Sequence, residues 1–171
     1  MSRKRFLVVG GDSLVGSRLV DALHERGHEA HGTTRRTSTG GQARLYLDIA
    51  DIPGTSTPSD YDHVFLIAAI SNYGQCESDA RSWPLNVEAI PRLARHYLQR
   101  GIRVSFISTN TVFGPNSLWP SENAPHHPTI AYARQKSAGE AAIRAAASEL
   151  EASNNLNVIR LTKIIGPQTS P

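Results

Sequence analysis

Four consecutive large apolar residues, Phe6-Leu7-Val8-Val9, run into the turn Gly10-Gly11-Asp12-Ser13-Leu14-Val15-Gly16. Behind it, Leu14, Val15, Leu19, Val20 and Leu23 recur at helical spacing. The unbroken run reads as a strand buried on both faces, and the recurring pattern as an amphipathic helix. Strand, tight turn and helix together form a phosphate cradle. Glycine at position 10 permits the sharp turn, and glycine at position 16 lets the helix pack close to the strand. The helix N-terminus then offers unpaired N–H groups to a pyrophosphate, so Gly10, Asp12, Ser13, Leu14, Val15 and Gly16 are candidate cofactor contacts. The spacing Gly10-x-x-Ser13-x-x-Gly16 departs from G-x-G-x-x-G, and a ligand-free strand-to-helix turn is the competing reading.

The rest of the chain repeats this alternation. A helix over 14–26 ends at Gly27, and 29–33 reads as a second strand. A carboxylate at the tip of such a strand accepts hydrogen bonds from an adenosine ribose and repels a 2′-phosphate. Here the tip is Thr34-Arg35-Arg36. Two guanidinium groups can pair with a dianionic phosphate in forked geometry, so Arg35 and Arg36 point to NADP, with NAD as the alternative cofactor. A solvated basic loop is the plain reading of the same residues. Residues 37–42 form a polar loop, and 44–48 a third strand ending in Asp48-Ile49. That pair is expected beside the adenine; a cap or loop carboxylate is the other reading of Asp48. The stretch 52–60 is rich in Pro, Gly, Ser and Thr and predicts an irregular crossover.

Residues 62–69 supply a fourth strand ending in Ala68 and Ala69, small enough for a cofactor to approach the backbone. A long helix is predicted over 79–100, its start and straightness disturbed by Pro84 and Pro91. A fifth strand over 102–109 delivers Ser108 and Thr109 to the C-terminal edge of the sheet, where open α/β sheets bind ligands. A proline-rich loop, a helix over 130–150 and a sixth strand over 156–161 complete the set. Strands alternating with helices imply an α/β fold: a doubly wound parallel sheet of Rossmann type in three αβα layers.

At 171 residues and 39% hydrophobic content the chain suits one domain with a real core. The net charge of +3 is spread over scattered arginines, which argues against a nucleic-acid partner. One cysteine, Cys76, excludes an internal disulfide and reads as a structural thiol. Too few apolar residues precede Gly10 for a signal sequence or a membrane span, so the expected compartment is the cytoplasm, without membrane association. His126-His127 lacks companion ligands and no metal site is expected. Trp83 and Trp119 are expected to pack under the loops.

Tyr132 and Lys136 stand four residues apart, on one helical face. An adjacent ammonium favours a phenolate and lowers the phenol pKa toward neutrality, and the same lysine can hold a nicotinamide ribose. A hydroxyl such as Thr109 could hydrogen-bond the substrate oxygen. An ordinary helix surface explains most isolated Tyr-x-x-x-Lys pairs.

Taken together and in this order, Gly10 to Gly16, Ile107-Ser108-Thr109-Asn110-Thr111-Val112-Phe113-Gly114 and Tyr132 to Lys136 resemble the extended short-chain dehydrogenase/reductase family. Within it they are similar to sugar-nucleotide enzymes of the dTDP-4-dehydrorhamnose reductase and NAD(P)-dependent epimerase/dehydratase type. Leu85-Asn86-Val87-Glu88-Ala89 and Arg160 to Pro167 extend the resemblance over essentially the whole chain. It implies Thr109 as the substrate-orienting hydroxyl, Tyr132 as the acid–base and Lys136 as its activator. Gly10, Gly16, Asp48 and Ala68 are implied as cofactor contacts and a nucleotide-activated sugar as substrate. An NADP-dependent oxidoreductase is the first expectation. An epimerase or dehydratase with retained cofactor, and a non-catalytic NADP-binding regulatory module, are the alternatives.

The sequence departs from the family pattern at Ser13, where the family has its middle glycine, and at Asn110, where such reductases often carry aspartate. The family's C-terminal portion, which supplies most of the sugar-nucleotide pocket, would begin where this sequence stops, at 166–171. On this reading 1–171 is the dinucleotide-binding domain without that lobe, and strand six is an edge that invites a homo-oligomer.

Overall fold

The computed structural model describes residues 2–36, 44–50, 57–162 and 164. The polar loop expected at 37–42, most of the crossover and the terminal 166–171 lie outside the described residues. The chain runs β1 (Arg5–Val9), α1 (Leu14–Glu25), β2 (Glu29–Thr34), β3 (Leu45–Tyr46), β4 (His63–Leu66) and α2 (Tyr73–Ser78). A π-helical stretch, Pro84–Ala89, continues into α3 (Ile90–Leu98), followed by β5 (Arg103–Thr109), a 3-10 turn (Asn110–Phe113), α4 (Ala131–Glu149) and β6 (Leu156–Leu161).

The six strands lie in the order β3-β2-β1-β4-β5-β6, and every neighbouring pair is parallel. This is the expected Rossmann sheet. The chain winds outward from β1 through β3, then returns to β4 on the other side of β1, so strand order reverses between β1 and β4. A ligand crevice belongs at that point, outside the C-terminal strand ends.

Alternation in β1 explains the layers. Leu7 and Val9 join Val64, Leu66, Val104 and Phe106 in the larger core cluster, packed on Leu93, Ala94, Tyr97 and Leu98 of α3 and on Ile143 of α4. Phe6 and Val8 face the other way, onto Leu23, Leu19 and Val20 of α1. The unbroken apolar run is thus buried on both faces, as such a run requires.

The helix predicted over 79–100 runs unbroken over 82–98, and the short α2, which the sequence did not show, precedes it. Asn72 caps α2 by accepting the Gln75 N–H, and Asp79 ends it in extended backbone, its carboxylate turned to Arg81. The long helix opens at Ser82, which places Pro84 in its first turn, where proline's missing N–H costs nothing. Ahead of Pro91 the ladder widens to the π pattern, the Ile90 N–H bonding Leu85 O. β6 is tied to α4 by Arg160, whose guanidinium forks onto the buried Glu140 carboxylate at 2.6 and 3.0 Å and also donates to Glu122 O in the loop before α4. No helix among the described residues is long and apolar enough to cross a membrane.

Candidate functional site

A cleft of about 580 Å³ opens at the C-terminal edge of the sheet, where the strand order reverses. Of the residues predicted from sequence, Gly10, Asp12, Ser13, Leu14, Val15, Arg35, Ile49, Ala68, Ala69, Thr109, Tyr132 and Lys136 line it. Gly16, Arg36 and Asp48 do not. Gly16 lies behind the turn as a spacer, since a Cβ there would run into Gly10 O. Arg36 is exposed beside the rim, its backbone N–H on Thr34 Oγ1 at 3.1 Å. The Asp48 carboxylate accepts the Ala50 N–H at 3.0 Å, so it holds its own loop rather than facing the cleft.

The glycine turn is built as its sequence requires. Gly10 has φ +92°, and a Cβ there would lie 2.7 Å from the Ala68 amide nitrogen. Ser13, the departure from the family glycine, is the N-cap of α1. Its hydroxyl donates to Gly10 O at 2.8 Å and accepts the Gly16 N–H at 3.0 Å. Serine therefore tightens the turn without filling it. The Leu14 and Val15 N–H groups, in the first turn of α1 and on the cleft wall, have no partner within the helix. Thr33 Oγ1 accepts the Gly10 N–H at 3.1 Å, and Asp12 accepts from Thr34 Oγ1 at 3.1 Å, so β2 holds the turn from the side.

At the other end, Thr109 closes β5 and caps the 3-10 turn, its Oγ1 accepting the Thr111 N–H at 3.2 Å. Tyr132 lies in the first turn of α4, stacked on Tyr73 of α2 at 5.6 Å. Lys136, one turn on, is 2% exposed; its Nζ donates to Ile107 O at 2.5 Å and sits 3.9 Å over the Phe106 ring. Burial pulls the Lys136 ammonium down to about 7, with Glu140 opposing that shift. Burial pushes the Tyr132 phenol up to about 12, and Tyr73 and Cys76 add to the rise. The expected lowering of the phenol by Lys136 is thus absent in this conformation: a strand-end carbonyl and a ring face take up the ammonium instead. The hydroxyl of Ser108, beside Thr109 on the cleft wall, is buried without a hydrogen-bond partner.

A buried, charged lysine is costly, and this gives a stability signature. Between about pH 7 and 10.5 the unfolded chain holds the Lys136 proton and the folded chain does not, so wild-type stability rises with pH across that window. Lys136→Met should therefore raise Tm near pH 6, about 2–4 °C for each kcal/mol relieved. The advantage should shrink as pH rises from 7 toward 10.5. Calorimetry at pH 6 and 9 measures it, and a lower Tm at pH 6 would show that the Ile107 and Phe106 contacts outweigh desolvation.

Several lining residues escaped the sequence reading. Tyr73 belongs to a six-residue helix in a polar stretch, where only the Asn72 cap offered a signal. Asn86, in the segment that carried the resemblance, donates to Gln135 Oε1 at 2.8 Å and to Ile70 O at 2.9 Å, tying α4 to the loop after β4. Cys76 is buried, its thiol bonded to Ile70 O and raised in pKa by burial, which suits a structural role. His126 engages Ser137 with one ring nitrogen and Arg160 with the other. Among the described residues no three metal-ligating side chains cluster. The tryptophans do not pack under the loops: Trp119, at φ +52° between Leu118 and Pro120, is 97% exposed and Trp83 49%.

Comparison with solved structures places this geometry. MoeE5 in complex with UDP-glucose and NAD is 27% identical, with a TM-score of 0.77 over 90% of this chain and 52% of that one. UDP-glucuronic acid 4-epimerase from Bacillus cereus, in complex with NAD, is 20% identical with a TM-score of 0.81, over 98% and 59%. dTDP-4-dehydrorhamnose reductase from Bacillus anthracis, in complex with NADP, is 18% identical with a TM-score of 0.77, over 99% and 57%. The last two likenesses establish the fold alone. The chain spans about half the length of the solved relatives it matches. No curated protein matches it. The sequence profile of the NAD dependent epimerase/dehydratase family, in contrast, matches residues 6–171, and the chain belongs to that family.

Proposed function

We propose that this protein is an NADP-dependent oxidoreductase acting on a carbonyl or hydroxyl group of a nucleotide-activated sugar. One observation carries the reading: the phosphate turn, Arg35 and the group Thr109, Tyr132 and Lys136, drawn from separate stretches of the chain, line a single cleft at the carboxyl edge of a parallel sheet. The cradle fits a dinucleotide, because its floor at Gly10 has no room for a side chain, its helix start has free N–H groups and its far wall holds the unpartnered Ser108 hydroxyl. The family match over residues 6–171 and the 27% identical relative in complex with UDP-glucose and NAD support the sugar-nucleotide class.

When bound, the nicotinamide supplies or accepts the hydride. The chain's own groups do the rest. Leu14 and Val15 N–H groups would bind the pyrophosphate, Arg35 and Arg36 the 2′-phosphate, and Ala68 and Ala69 leave the backbone approachable. Lys136 would give its donors to the ribose in exchange for Ile107 O. The Tyr132 O–H donates a proton to the oxygen that gains charge during reduction and takes one back during oxidation, while the Thr109 hydroxyl steadies the same oxygen.

A second reading, an epimerase or dehydratase that oxidises and re-reduces its substrate on a retained cofactor, draws on the match to the NAD dependent epimerase/dehydratase family. It predicts nicotinamide cofactor still bound after purification and turnover without added NADPH. Isothermal titration tests the first reading: NADPH should bind about tenfold tighter than NADH, and 2′,5′-ADP should compete better than 5′-AMP. Equal affinities within each pair would remove the NADP assignment.

A further inference from the structure

Resting on the assignment of the β2 tip to the 2′-phosphate, we infer that Asp12 is a second cofactor-discriminating residue: a carboxylate brought to the tip from the phosphate turn, which accepts a ribose hydroxyl of NAD and opposes the phosphate of NADP. Thr34 stands at the strand end where a discriminating carboxylate would be expected, and Arg35 and Arg36 follow it. The sequence alone therefore reads as a tip without acid. The fold supplies one. Asp12 Oδ2 accepts from Thr34 Oγ1 at 3.1 Å, and Asp12, Thr34 and Arg35 line the same end of the cleft.

The carboxylate is held there by its neighbours. The Gly10 N–H donates to Thr33 Oγ1 at 3.1 Å and the Gly11 N–H to Thr33 O at 3.0 Å, so three successive turn residues are fastened to two successive residues of β2. The same Thr34 hydroxyl accepts the Arg36 N–H, which links the acid to the backbone that carries the arginines. Among the described residues no basic side chain forms an ion pair with Asp12. A carboxylate oxygen accepts from a ribose hydroxyl and repels a dianionic phosphate. Two arginines against one aspartate give a cleft that prefers NADP and still takes NAD.

Asp12→Asn keeps an acceptor oxygen for Thr34 and removes the charge. Titrated calorimetrically in the full chain, it should bind NADPH about fivefold tighter and NADH about threefold weaker, with the gain for NADPH shrinking in high salt. Asp12→Ser, a second neutral replacement, should move the ratio the same way. An equal change for both cofactors, or none, in either variant would overturn the inference by making Asp12 purely structural. Arg35→Ala with Arg36→Ala, run beside it, separates the two readings. If that pair loses NADPH selectively while Asp12→Asn leaves the ratio unmoved, only the role of Asp12 fails. If the pair shows no selectivity, the phosphate assignment fails and the role of Asp12 with it.

Discussion

In a form of this protein that turns over a nucleotide sugar, Tyr132→Phe is expected to lower kcat by roughly 10²–10⁴-fold, the usual contribution of a positioned acid–base group. Affinity for NADPH should stay within about threefold, because the change removes only an oxygen. The ring is not what is being tested: phenylalanine preserves the stack on Tyr73 and the apolar surface at the start of α4. With its phenol pushed up to about 12, Tyr132 is protonated across the neutral range, which suits a donor in the reductive direction. Steady-state kinetics with parallel cofactor titration would separate the two quantities. Near-full activity in the variant would make Tyr132 a wall residue and bring the binding-module reading forward.

The second large effect is expected at the other end of the cleft. Arg35→Ala combined with Arg36→Ala should weaken NADPH binding by about ten- to a hundredfold, the equivalent of about 1.5–3 kcal/mol for lost charge-assisted hydrogen bonds, and leave NADH nearly unchanged. Arg35 lines the cleft and Arg36 is exposed just outside it, so Arg35→Ala alone should account for the larger share. The dependence of NADPH affinity on ionic strength should flatten in the double variant, since exposed charge pairs are screened by salt. Equal losses for both cofactors would mean that the arginines support the tip rather than read a phosphate.

How much of this was written in the sequence follows from which interactions are local. The β1 run, the glycine turn and the helix behind it are set by neighbours within a few residues, and β1, α1, α4 and β6 fall within a residue or two of the expected spans. The hydroxyl pair at the end of β5 and the Tyr132–Lys136 spacing were legible for the same reason. The short helix α2 was not, because it depends on a side-chain cap at Asn72, and neither was the ladder that widens ahead of Pro91 within the expected long helix. Asp48 carried two local readings from the sequence, adenine contact or loop carboxylate, and in the fold its carboxylate accepts the Ala50 N–H. The role of Asp12 beside Thr34 is a contact between residues 22 apart in the chain, which no pattern along the sequence records. The direction of Lys136 is likewise tertiary: only folding brings Ile107 O and the Phe106 ring beneath it.

The central claim is that one cleft holds the whole dinucleotide, phosphates at the α1 start and nicotinamide at α4. A crystal structure of the chain grown with NADP⁺ tests it most directly. The account predicts the pyrophosphate on the Leu14 and Val15 N–H groups, the 2′-phosphate within reach of Arg35, and Lys136 drawn from Ile107 O to the nicotinamide ribose, with Tyr132 and Thr109 beside the ring. A cofactor bound with its nicotinamide away from Tyr132, or its pyrophosphate away from the Gly10 turn, would contradict it.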